Sequence, residues 1–143
     1  MTPSEAKHLL SLHSGSSPDT SHPKWETGFL GQLRPFRKVL RPENFDEVAE
    51  AIRTLAPMLQ AETLDRQVMN DLWGICHLAR LWGIEPDGML RRNGLITPQQ
   101  IETLDDWVSR ISFTVMLLLD GADPESALAE LQPRRPRPPS DQG

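Results

Sequence analysis

The residues best suited to chemistry in this chain are few and poorly grouped. Asp71 and Arg80 fall in its most apolar stretch, LDRQVMNDLWGICHLARLWGI, Leu64–Ile84. A carboxylate set among apolar side chains could be a catalytic acid. It could equally be half of a structural ion pair, since an unpaired buried charge is costly. On a helix Asp71 and Arg80 lie on opposite sides, so neither satisfies the other. The nearest bases for Asp71 are Arg91, Arg92 and Arg110. We read Asp71, Arg80 and Arg110 as structural ion-pair residues that fix helix register.

The single cysteine, Cys76, directly precedes His77. Neighbours on a helix point about 100° apart, so thiol and imidazole do not form a nucleophile–base pair. Cys76 reads as a buried, unreactive thiol. His8 and His13 are five residues apart, where zinc-binding histidines on one helix prefer four. Both read as boundary histidines. Asp19 and His22 are two possible ligands, too few for a metal site. Asp120, Asp123 and Glu125 lack the spacing of a calcium loop. Glycine-rich phosphate loops and the G-x-S-x-G elbow do not occur in the sequence. We therefore expect no catalytic residue, no metal and no cofactor. Arg91 and Arg92 could grip a carboxylate or phosphate, or return to Asp71, Asp105 or Asp106.

The elements that must carry these residues are helical. Placed at 100° per residue, the apolar side chains of Leu64–Ile84, including Trp73 and Trp82, cover roughly 220° of the circumference, against about 100° for an ordinary surface helix. Such a helix requires neighbours on more than one side, so we expect it at the centre of a bundle. Thr63 can cap its start, with Asp65 in the first turn, and Gly83 and Pro86 mark its stop. Thr2-Pro3-Ser4-Glu5, Asn44-Phe45-Asp46-Glu47 and Thr97-Pro98-Gln99-Gln100 are capping-box sequences. They predict a short helix to about His13, an amphipathic helix that Pro57 ends or kinks near Ala56, and a long helix to Asp120. Met89 to Arg92 reads as one helical turn stopped by Asn93-Gly94, and Asp123-Pro124 starts a last short helix. No run reads as a strand. The fold class is all-α: a single-domain bundle of about five helices, three of them long, over residues 1–132. The stretch 14–28 is irregular, and the Pro/Arg-rich tail 133–143 is expected to be disordered.

The seam Ile101, Leu104, Val108, Ile111, Val115, Leu118 becomes apolar all round past Ile111. Phe113, Met116 and Leu117 point away from it, and the last helix is short cover. We expect these three, with Arg91 and Arg92, to form an interaction surface for an unknown protein partner or a second copy of the chain.

The net charge is −5, unevenly spread. Residues 43–71 and 99–131 are rich in acids, whereas 34–41 and the tail carry an excess of bases. An acidic helical body argues against general nucleic-acid binding, which depends on neutralising phosphate, and suits a basic protein partner. Apolar runs stop far short of the ~20 residues of a membrane span. With one cysteine and no secretory leader pattern, we expect a cytoplasmic protein. The function read from the sequence is a non-catalytic interaction module: an adaptor, regulator or inhibitor presenting acidic helix faces. An alternative is a small enzyme or ligand binder with His22, Asp71, His77 and Arg91 or Arg92 gathered between loop 14–28 and the central helix. A third is weak nucleic-acid contact through Arg34, Arg37, Lys38, Arg41 and the tail.

Overall fold

Among the described residues, five of the seven α-helices open on a proline at the first helical positions. Proline suits that place because its fixed φ is helical and its missing N–H has no helical partner there anyway. The computed structural model describes residues 1–133. The helices are α1 (Pro3–Ser14), α2 (Pro23–Thr27), α3 (Pro42–Leu59), α4 (Arg66–Ala79), α5 (Met89–Arg92), α6 (Pro98–Leu119) and α7 (Pro124–Leu128). The described residues contain no strand. Four helices are long and three are single turns, one long helix more than expected, because α1 runs a full twelve residues. The proposed tail lies outside the described residues except for Pro133.

Start signals were mostly local. Thr2 accepts from the Glu5 N–H, and Gly15, at φ 75°, closes α1 in the left-handed conformation that a Cβ disfavours. Thr97 and Gln100 exchange both bonds of a capping box at α6. Four expectations need correction. The stretch 14–28 is not irregular throughout: Pro23–Thr27 forms α2, with His22 as its cap. Helix α3 begins at Pro42, so Asn44 is no cap; it is buried in the first turn and its amide donates to Thr27 O at 2.9 Å. Helix α4 is capped by Asp65, not Thr63: its carboxylate accepts the Val68 N–H at 3.1 Å. Helix α3 also continues through Pro57 to Leu59. Pro57 sits in the last turn, where its missing N–H removes least.

One hydrophobic cluster joins the long helices. It takes Ala6 and Leu10 from α1, Ile52 and Leu55 from α3, Leu72 and Ile75 from α4, and Leu104 and Ile111 from α6. Trp107 of α6 lies between Phe29 and Phe45, with ring centroids 6.0 Å from each. Helix α1 packs on both α3 and α4, and α6 also packs on both.

The central helix is less enclosed than its apolar arc implied. Trp73 is 75% exposed, and Leu64 and Leu81 are exposed too. The buried face of α4 is narrow: Val68, Asp71, Leu72, Ile75 and Ala79. Helix α3, with nine buried residues, is the more enclosed rod. The correction has a simple cause. A wide apolar arc states that cover is wanted, but the described residues contain no further long helix to lay over it. Past Ala79, α4 loosens into one π-helical turn, Arg80–Ile84, closed by Glu85 N–H to Arg80 O at 2.9 Å. No helix of the described residues is long and apolar enough to cross a membrane.

Candidate functional site

The uncovered face of α4 meets α6 in an apolar groove of about 830 Å³. Cys76 lies against Val108 O, and Arg80 reaches Asp105 and Ser109, so the two helices run antiparallel. Helix α4 supplies Met69, Leu72, Trp73, Cys76, His77 and Arg80 to the walls. Helix α6 supplies Val108, Ser112, Val115, Met116 and Leu119, with Asp120 at the far end. Residues at i, i+3, i+4 and i+7 share one helical face, which is why these side chains converge. Trp73, Met116 and Leu119 are exposed.

The groove offers shape and apolar surface rather than reactive groups. Burial pushes the Cys76 thiol up to about 11, although Arg80 pulls the other way. It stays protonated at neutral pH and is a poor nucleophile. At the near end, Arg80 holds Asp105 at 3.2 Å and Ser109 at 3.4 Å. Beyond that pair a shallower hollow opens, lined by Gln99, Glu102, Thr103, Asp105, Asp106 and Ser109. The two concave surfaces therefore meet at the Arg80–Asp105 bridge.

Of the expected interaction residues, Met116 lines the groove and Phe113 is exposed. Leu117 is half-buried and packs against the core. Arg91 donates to Ile84 O at 2.8 Å, which ties α5 to the π-helical turn, and Arg92 is exposed. The ion-pair residues divide. Arg80 forms the Asp105 pair just described. Arg110 is buried, with Asp106 at 3.4 Å and its guanidinium 4.7 Å from the Phe45 ring centroid. Asp71 is also buried, but its partners are not the arginines expected. Its carboxylate accepts from Ser14 Oγ at 2.8 Å, Ser16 Oγ at 2.6 Å and Gln67 Nε2 at 2.9 Å. Hydroxyls from the end of α1 substitute for a cation because α1, not α5, packs on that side of α4.

The alternative enzyme constellation is not brought together. His77 lines the groove, while the Asp71 carboxylate is held by the serines and Arg91 by Ile84. His22 caps α2 by accepting the Lys24 N–H, with its ring 6.0 Å from that of His8. Among the described residues no group of three or more His, Cys, Asp or Glu side chains could hold a metal. In the basic segment, Arg34 lies 5.5 Å from the Trp82 ring centroid and Arg41 4.0 Å from Glu43.

One histidine is placed differently from its sequence reading. His13 is fully buried, not a boundary residue. Its spacing from Ala6 and Leu10, seven and three residues, continues the buried stripe of α1 and could have revealed it. Comparison with known protein families, with curated proteins and with solved structures gives no match for the chain.

Proposed function

We propose that the chain is a non-catalytic protein–protein interaction module, an adaptor, regulator or inhibitor, whose contact face is the α4–α6 groove. The observation that carries the reading is Trp73, a large aromatic 75% exposed beside the exposed Met116 and Leu119. Large contiguous apolar surface on a globule marks a place where something else packs. Tryptophan is also enriched among the residues that dominate binding energy. Covering Met116 and Leu119 alone would contribute on the order of several kcal/mol before the costs of association. A half-buried thiol that stays protonated is consistent with contact rather than reaction. A cytoplasmic setting suits its unpaired cysteine.

The test is capture from the source cells by wild-type protein and by a Trp73→Glu, Met116→Glu double variant. The expected outcome is a protein retained by the first and lost by the second, then identified and rebound with purified components. A strict monomer with no groove-dependent partner at any salt concentration would overturn the reading.

A further inference from the structure

We propose that the occupant of the groove is an amphipathic helix of a partner protein, about four turns long, with basic residues at its ends. This deepens the interaction reading and rests on it. The length comes from the walls. From Asp105 to Asp120 along α6 is about 22 Å at 1.5 Å per residue, which matches a helix of about fifteen residues. An open trough between two antiparallel helices takes a third helix by the same ridge-and-groove packing that joins the first two. Apolar side chains at i, i+3, i+4 and i+7 of the occupant would meet Trp73, Met116 and Leu119, which are exposed and unpaired with any third helix of the described residues.

The charge comes from the ends. Past the Arg80–Asp105 bridge the surface turns acidic, with Glu102 exposed on the outer face of α6. The hollow is lined by Glu102 and by Asp105, which Arg80 bridges from the groove side. A helix carrying Lys or Arg there gains electrostatic complementarity. At the far end Asp120 is exposed too, so both ends of the groove favour a cation on the occupant.

The same charges disfavour an antiparallel second copy. A twofold that lays groove on groove in that sense brings Asp120 of one copy over the Glu102–Asp105 end of the other, and like charges in contact suppress pairing. A parallel twofold instead sets α6 of one copy over α4 of the other, Glu102 towards Arg80, and sedimentation distinguishes it from a helical partner.

The experiment is selection of fifteen-residue helical peptides from a displayed random library against the full chain. Enriched peptides should carry an apolar face and Lys or Arg near their ends. Their binding should vanish in Met116→Glu and weaken about tenfold when Glu102→Gln and Asp105→Asn are combined. Groove-dependent peptides with no basic bias would overturn the proposal and leave the interaction reading standing, since that reading is decided by capture of a cellular partner. Failure to enrich any groove-dependent peptide would also overturn it. So would a dimer in sedimentation at micromolar concentration that Met116→Glu dissociates.

Discussion

The imidazole of His13 accepts a hydrogen bond from the backbone N–H of Phe29 at 2.9 Å. Accepting at Nδ1 places the neutral ring's proton on Nε2, which is buried without a hydrogen-bond partner and 3.9 Å from Glu47 Oε1. Burial drives the His13 pKa down from 6.5 to about 4, and the nearby Lys24 charge adds to the effect. A protonated Nδ1 could no longer accept from Phe29, which acts in the same direction. The unfolded chain therefore takes up this proton at higher pH than the folded one. Stability from this group is complete above about pH 6.5 and is lost as pH falls towards 4, by on the order of 3 kcal/mol. Urea melts from pH 8 to 4 should show that decline. His13→Asn, whose amide oxygen can accept from Phe29, should decline less steeply. Parallel slopes for the two proteins would exclude His13 as the source.

Asp71 joins α1 to α4 through the hydroxyls of Ser14 and Ser16. Removing the carboxylate leaves these donors and Gln67 without their acceptor in a part-buried place. We expect Asp71→Ala to cost about 1–3 kcal/mol, and Asp71→Asn, which keeps one acceptor oxygen, to cost less. Denaturant midpoints measure both. Equal losses would mean that charge, not acceptor geometry, is what the site requires.

Trp73 and Trp107 belong to opposite categories although both sit on apolar helix faces. Trp107 is 8% exposed and packs between Phe29 and Phe45, whereas Trp73 is 75% exposed. Trp107→Ala should destabilise by about 3–5 kcal/mol. Trp73→Ala should stay within about 0.5 kcal/mol of wild type. Thermal melts of the two variants check the contrast. A large loss at Trp73 would show that its face is already covered.

What the sequence made legible is what local rules control. The Thr97 capping box, the Leu104–Val108–Ile111–Leu118 seam and the Asn93-Gly94 stop each depend on residues within a turn or two. The helical class followed from such signals. Tertiary choices were less readable. The periodicity of 64–84 recorded apolar residues but not whether another helix would reach them, so Trp73 was placed inside. The partner of Asp71 depended on α1 docking against α4, a contact between residues more than fifty apart in sequence. Met116 was singled out from the α6 pattern alone. Its pairing with Trp73 across the groove needed the antiparallel register of α4 and α6, which no local signal contains.

Gly74 lies in the interior of α4, where glycine disfavours the helix through its extra backbone freedom. A Cβ built there meets nothing within 4 Å. Gly74→Ala should therefore stabilise the protein by about 0.5–1 kcal/mol, raising the melting temperature by about 3 °C. Wild-type binding of groove peptides should persist, since Gly74 is not among the wall residues. A lower melting temperature would show that α4 bends or breathes at this point.

Arg110 closes the C-terminal end of the described fold. Its Nε donates to Glu130 O at 2.8 Å, one terminal nitrogen donates to Gln132 O, and the other faces Asp106. The guanidinium plane also lies over Phe45. A planar fork serves several acceptors at once in a way that a lysine ammonium cannot. Helix α7 and the 3₁₀ turn Ala129–Leu131 are short and bury chiefly Ala127 and Leu131, so their attachment depends on Arg110 together with Arg53, which donates to Leu131 O at 3.2 Å. In Arg110→Lys, we expect amide exchange over 127–131 to accelerate about tenfold, while α1 and α3 amides change far less. A uniform change across the chain would mean that Arg110 supports global stability rather than the local closure of α7. Protection unchanged at 127–131 would mean that the apolar contacts of Ala127 and Leu131 and the Arg53 bond to Leu131 O suffice to hold the segment.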